Sequence, residues 1–269
     1  MSQRRQWLRR QLEAKGSVGL TEAAAELGVS EQTIRRDLDL LAQSGLTIQK
    51  VRGGATYGVA PSRGYEPPFA QRSASSSAAK TAIGRAAAEL VNPGDTVIID
   101  VGTTALELAR ALCGMRDLTV VTASLPVANE LGNDKGIRVI VTGGQVRSGE
   151  LSLTGGMAED AFKQWNCDLA FIGVAGVSPL GLTEYNPEDS RVKQAAIRAA
   201  RRTVVLADVT KLGRVAFSTV AQLSEVTALV TDAAPGDASL EELSSTGIEV
   251  IHAHSHEDED EEDERDEET

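Results

Sequence analysis

What this chain has little of narrows it first. Only two cysteines, Cys113 and Cys167, occur among 269 residues, and their wide separation argues against a disulfide framework and against a paired-cysteine metal site. No run of about 18 apolar residues is present, so no membrane-spanning helix is expected. The charged N-terminus is not followed by the apolar core of an export signal. A reducing cytoplasm is the expected location, with no membrane partner. Histidine is scarce too, and His252, His254 and His256 all fall near the C-terminal end. That disfavours an enzyme relying on a histidine acid or base in its interior loops. Positive charge is in deficit, with 27 Lys and Arg against 39 Asp and Glu and a formal net charge of −12.

The deficit is uneven. Residues 1–55 carry +3, residues 257–269 carry −10, and the stretch between carries −5. A modestly basic head on an acidic body fits a chain that meets phosphate backbones through one end and binds them weakly without sequence preference. The acidic end, residues 255–269, has nothing apolar to bury and is expected to be disordered. Alternating histidines just before it leave two readings open, a transition-metal site or an incidental pattern. No metal site and no cofactor are assigned.

The basic head is patterned. Trp7, Leu8 and Leu12 predict an amphipathic first helix ending at Gly16, and Thr21 is placed to cap a second that stops at Gly28. Ser30 opens a third by accepting from the Thr33 amide, and Ile34, Leu38 and Leu41 recur at i, i+4 and i+7 as its core stripe. At about 100° per residue, Gln32 and Arg36 point nearly opposite that stripe, with Thr33 and Arg35 on the flanks. Arginine suits guanine edges and glutamine suits adenine edges. Two short strands then bring Lys50 and Arg52 near a glycine turn, as a basic wing. Residues 1–57 therefore read as a winged helix-turn-helix that touches double-stranded DNA through Ser30, Gln32, Thr33, Arg35, Arg36, Lys50 and Arg52. A small helical bundle with merely solvated arginines is the alternative.

Residues 58–79, rich in Ser, Pro, Gly and Ala, read as a linker with a flexible SASSSAA piece. From 80 to 254, seven apolar runs alternate mostly with helix-length segments, which predicts an α/β domain with a mostly parallel, Rossmann-like sheet. Ligands of such sheets gather beyond the carboxyl ends of the strands. There Asp100 precedes Gly102, Thr103 and Thr104 at a helix start, a combination suited to an anionic phosphate, although glycine and threonine are also ordinary turn and cap residues. Thr122, Ser124, Gly143, Gly144, Gly173, Gly176, Thr183, Asp208 and Lys211 fall at other strand ends. Lys193 can supply a point charge or be a solvated helix lysine.

The segment SEQTIRRDLDLL, followed by GL and then RGGA, resembles the DeoR family of sugar-responsive transcriptional regulators. Glu66, Phe69, Arg72 and Lys80, then DVGTT, VVTAS, VTGG, FIG and ADVTKLG, continue the resemblance in the family's order, leaving only the acidic tail outside it. The resemblance implies a sensor domain similar to ribose-5-phosphate isomerase and glucosamine-6-phosphate deaminase, a phosphorylated sugar or polyol as effector, and effector contacts at Asp100, Gly102, Thr103, Thr104, Lys193 and Lys211. It implies a repressor of carbohydrate-metabolism genes, relieved by that effector; placing two heads on operator half-sites about one helical turn apart, or a multiple of that, calls for a homodimer or homotetramer. Two other classes stay in view. Sugar-phosphate catalysis would need a tuned acid and base, and where the deaminase carries an Asp-Gly-His loop this chain has Ala175, Gly176 and Val177, although Glu184, Glu188 and Asp189 lie in a plausible loop. A DNA-bound structural protein would leave the strand-end glycines and threonines without purpose. No enzyme activity is expected.

Overall fold

A computed structural model describes residues 3–43, 48–51, 53–57 and 63–253. The chain forms two compact units, residues 1–65 and 66–269.

In the first unit, α1 (Gln3–Lys15) is followed by β1 (Ser17–Gly19), α2 (Leu20–Leu27), α3 (Glu31–Gln43), β2 (Ile48–Val51) and β3 (Gly54–Tyr57). Leu8 and Leu12 from α1, Leu20 and Ala23 from α2, and Ile34, Leu38 and Leu41 from α3 share one core. Gly28 ends α2 in the left-handed conformation, a backbone geometry that glycine adopts without a steric penalty. Thr21 is not the cap of α2: the helix starts at Leu20 after Gly19, and the Thr21 hydroxyl instead donates to Glu31 at 2.7 Å. The three strands form an antiparallel sheet with β3 in the middle, and β1 is an element that sequence periodicity did not reveal. Both glycines of the wing turn have work to do. Gly53 sits at φ +78, while a Cβ on Gly54 would lie 2.3 Å from the Val18 carbonyl oxygen, so the β1–β3 contact requires a bare backbone.

The second unit opens with α4 (Phe69–Ala74) and α5 (Ser77–Ala88), so part of the expected linker is helical. Then follow β4 (Thr96–Ile99), α6 (Thr103–Leu112), β5 (Leu118–Thr122), α7 (Leu125–Leu131), β6 (Ile137–Val141), β7 (Gln145–Arg147), β8 (Ser152–Thr154), α8 (Gly156–Phe162) and β9 (Cys167–Gly173). The chain continues through β10 (Gly176–Ser178), β11 (Gly181–Glu184), α9 (Pro187–Arg198), β12 (Ala200–Leu206), β13 (Ser218–Ala221), β14 (Ala228–Thr231), α10 (Ala238–Ser244) and β15 (Glu249–His252). Seven strands in the order β15-β14-β12-β9-β4-β5-β6 make one sheet, and every pairing in it is parallel. These are the seven apolar runs. Two buried apolar clusters, one with Ile98, Ala170 and Val205 and the other with Val97, Leu169 and Val204, contain alternating residues of the same strands and so cover opposite faces. The β7–β8 hairpin and the small β10-β11-β13 sheet are additions whose strands of three or four residues are too short to show periodicity.

Order along the sheet decides where a ligand can sit. From β4 the chain winds outward through β5 and β6, then returns so that β9 lies on the other side of β4. Connections leaving β4 and β9 therefore run in opposite directions, opening a crevice beyond the ends of those two strands.

Candidate functional site

On α3, Ser30 Oγ accepts from the Thr33 amide at 3.4 Å, and the core stripe turns inward as its spacing predicts. Gln32, Arg35 and Arg36 are exposed and Thr33 is partly exposed, so the outer face carries two exposed guanidinium groups, that of Arg35 lying 3.9 Å from Glu31. Asp37, by contrast, is 4 % exposed and paired with Arg4 and lies 3.7 Å from Arg5, both on α1. This acidic residue thus fixes the exposed helix to the first one, a role that its one-dimensional setting between two arginines and a leucine concealed. Lys50 lies on β2, but its side chain is outside the described residues, as is Arg52 altogether. The tail histidines His254 and His256 are outside them as well.

In the second unit, a cleft of about 720 Å³, counting its open mouth, lies at the crevice between the ends of β4 and β9. Gly102, Thr103, Thr104, Asp208, Lys211 and Lys193 line it, as does Gly173. Gly102 takes φ +117 with open space where a Cβ would stand, so a ligand can approach the backbone at the start of α6. The helix's first amides and positive dipole end face that approach. Lys211 has no hydrogen-bond acceptor among the described residues, and burial lowers its pKa although Asp208 pulls the other way. Burial likewise lowers Lys80, to about 8. Two ammonium groups are thus held in surroundings that favour gaining an anionic partner.

Lys193 is 1 % exposed and is not a free point charge. Its Nζ donates to Asp100 and, at 2.8 Å, to the Gly173 carbonyl, and lies 3.4 Å from Glu184. Burial opposes its charge, but Asp100 and Glu184 outweigh that and raise its pKa. Burial pushes the Glu184 carboxyl up. Asp100 lies behind the cleft as the partner of Lys193, not among the lining residues, and its Oδ2 also accepts from the Gly173 amide at 3.0 Å.

Thr122, Gly143 and Gly144 do not line the cleft. The Thr122 hydroxyl donates to Ile99 O at 2.7 Å and accepts from the Ser124 amide, while Ser124 caps α7. Gly144 packs against Thr154 O, where a Cβ would lie at 2.6 Å, beside the β7–β8 hairpin. Thr183 is buried and receives the Ala216 amide, and a Cβ on Gly176 would meet Arg214 O at 2.3 Å. Glu188 is exposed, whereas Asp189 is buried and lies 2.6 Å from Arg147.

Several cleft residues escaped sequence reasoning as site residues. Glu66, Arg72, Ser75, Ser76 and Lys80 form one wall, and Arg147, Glu150 and Tyr185 contribute another part. Arg147 spans Glu66 at 2.9 Å and Asp189, while Arg72 spans Glu66 at 3.3 Å and Glu150. The Tyr185 hydroxyl is buried without a partner among the described residues, and Arg214 stacks on its ring at 5.1 Å. The family-like order of Glu66, Arg72 and Lys80 was the one available signal for that wall.

The comparisons with known proteins agree with this two-unit layout. Residues 4–58 match the DeoR-like helix-turn-helix domain, and residues 75–233 match the DeoR C terminal sensor domain. The chain is 34 % identical over 237 residues to the glycerol-3-phosphate regulon repressor of Escherichia coli (strain K12), covering 88 % of this chain and 92 % of that protein. It is 35 % identical over 225 residues to the HTH-type transcriptional repressor GlcR of Bacillus subtilis (strain 168), covering 84 % and 86 %. Ribose 5-phosphate isomerase A from Methanocaldococcus jannaschii superposes with a TM-score of 0.38 at 18 % identity, over 49 % of this chain and 52 % of that one. With a winged helix-turn-helix ahead of an α/β sensor domain, each matched by its own family profile, and with curated relatives aligned over most of its length, the chain belongs to the DeoR family.

Proposed function

We propose that this chain is a DNA-binding repressor of carbohydrate-metabolism genes whose second unit binds a phosphorylated sugar or polyol and thereby relieves repression. The observation that carries the reading is Lys211, an ammonium without an acceptor among the described residues, in the same cleft as the open helix start at Gly102, Thr103 and Thr104. An anion there gains the helix dipole, backbone amides and positive side chains together. A phosphate tethered to a hydroxylated body suits the rest of the cleft, whose carboxylates and arginines offer polar partners.

Gln32 and Arg36 are assigned to base edges and Arg35 to phosphate, with Ser30 and Thr33 beside them and Lys50 and Arg52 on the wing. The protein is assigned to the cytoplasm. No helix of the described residues is long and apolar enough to cross a membrane. Two DNA-binding units are needed to read a palindromic operator, which favours a homodimer or homotetramer. Turnover of sugar phosphates is not part of the reading, since Glu184 and Asp189 are each engaged with a buried or partly buried cation.

A thermal-shift screen of the full chain against phosphorylated sugars and glycerol 3-phosphate tests the site, because a ligand of the native state raises the melting temperature by mass action. The best ligand should then weaken operator binding at fixed salt, and operator should weaken that ligand by the same factor. No stabilisation by any phosphorylated compound would refute the sensor reading.

A further inference from the structure

The cleft wall formed by residues 66–76 is built unlike the rest of the second unit. Its helix α4 has no fully buried residue and only Phe69 as a half-buried apolar one, so little apolar packing holds it. Charged groups do: Arg72 reaches Glu66 and Glu150, and Arg72 Nε donates to the Pro67 carbonyl at 3.0 Å. Ser76, at the junction to α5, takes φ +52, uncommon for a residue with a Cβ. A segment held in this way opens at low free-energy cost. It also begins directly after residue 65, where the DNA-binding unit ends.

One side chain ties this wall to the ligand position. Lys80 is 5 % exposed and donates to the carbonyls of Arg72 and, at 2.5 Å, of Ser75. An ammonium has three N–H groups, so one remains, on a side chain that lines the same cleft as Lys211 and the start of α6. We propose that Lys80 couples occupancy of the cleft by a phosphate-bearing ligand to the order of residues 66–76, the stretch through which the chain enters the sensor unit from the DNA-binding unit. This rests on the cleft being an anion site. A phosphate oxygen accepting the third N–H fixes the ammonium, and the ammonium in turn fixes two carbonyls of the wall. Ligand binding and wall order then stabilise each other by the same factor.

The test is hydrogen–deuterium exchange on the full chain with and without saturating inorganic phosphate, alongside its melting temperature. In the wild type, amides of residues 69–76 should exchange about fivefold more slowly or better with phosphate, the lower end of ordinary coupling. In Lys80→Met the same amides should exchange faster without phosphate and gain no protection from it. Glu150→Gln loosens the wall through Arg72 while leaving Lys80 in place, and serves if Lys80→Met does not fold. It should speed exchange of the wall, and phosphate should slow that exchange again through Lys80. Phosphate that raises the wild-type melting temperature without slowing exchange of the wall overturns the coupling and leaves the anion site standing, as does a loosened Glu150→Gln wall that phosphate stabilises thermally but does not protect. Phosphate that neither stabilises the wild type nor protects any cleft amide overturns both.

Discussion

Replacing Lys193 by methionine keeps most of the side chain's length and removes its charge. Lys193 is buried against Asp100 and Glu184, whose side chains are 3 % and 10 % exposed. The substitution leaves two carboxylates without their ammonium, and the Gly173 carbonyl loses a donor. Breaking a buried ion pair from one side costs about 3–5 kcal/mol, because the remaining charge is both desolvated and unpaired. For a domain of this size that corresponds to a fall in melting temperature of about 6–20 °C. The pH dependence identifies the cause. Burial already raises the Glu184 and Asp100 carboxyls, and without Lys193 only backbone amides oppose it. Their folded-state pKa then lies above the unfolded value, so the native form takes up protons first and the variant regains stability as pH falls through the raised folded-state pKa towards the unfolded one. Melting curves of wild type and Lys193→Met across that interval should converge, and adding Asp100→Asn to Lys193→Met should recover part of the loss at pH 7. A Lys193→Met protein that melts within about 2 °C of wild type, or a gap that widens in acid, would refute the account of Lys193 as an internal counter-ion.

Other consequences are equally direct. Lys211→Met should abolish most of the thermal shift produced by a sugar phosphate while changing the unliganded melting temperature little, because Lys211 gives up no hydrogen bond among the described residues. Anion affinity should fall as pH rises through about 8, where Lys80 loses its proton in the free protein, as read by titration calorimetry in buffers of matched ionic strength. Arg36→Ala should cost about 1–3 kcal/mol at one operator base pair and relax discrimination there, whereas Arg35→Ala should weaken all sequences alike and reduce the salt slope by about one, both read by fluorescence anisotropy over a salt series. Ile34→Ala, at a fully buried position, should destabilise the first unit by about 2–5 kcal/mol, visible as a shifted unfolding transition.

The helix that faces outward with Gln32, Arg35 and Arg36, and the seven strands of the sheet, were legible because each is a local pattern. A stripe at 3.6-residue spacing can bury only one side of a helix, and a short apolar run bounded by turn residues can be covered on both faces of a sheet. Gly102 with Thr103 and Thr104 was legible for a similar reason: a strand end, a glycine and a helix start are contiguous, and their chemistry does not wait on distant partners. Thr122, Gly143 and Gly144 occupy comparable strand ends and still miss the cleft, since strand order places β5 and β6 away from the switch between β4 and β9.

Long-range pairing was not legible at all. Asp37 meets Arg4 from 33 positions away, Arg72 meets Glu150 from 78, and Lys193 meets Asp100 from 93. Nothing in the spacing of such residues separates a solvated charge from a buried one. The sequence by itself determined the two-part architecture, the exposed face of α3 and the open, glycine-led start of α6, because local periodicity and helix-end chemistry suffice for them. Only the tertiary structure decided that Lys193 is neutralised from within, that Lys80 and Lys211 join Arg72 and Arg147 among the cations lining the cleft, and that the chain entering the second unit forms the cleft's wall, because each depends on which strand ends and helices the sheet order brings side by side.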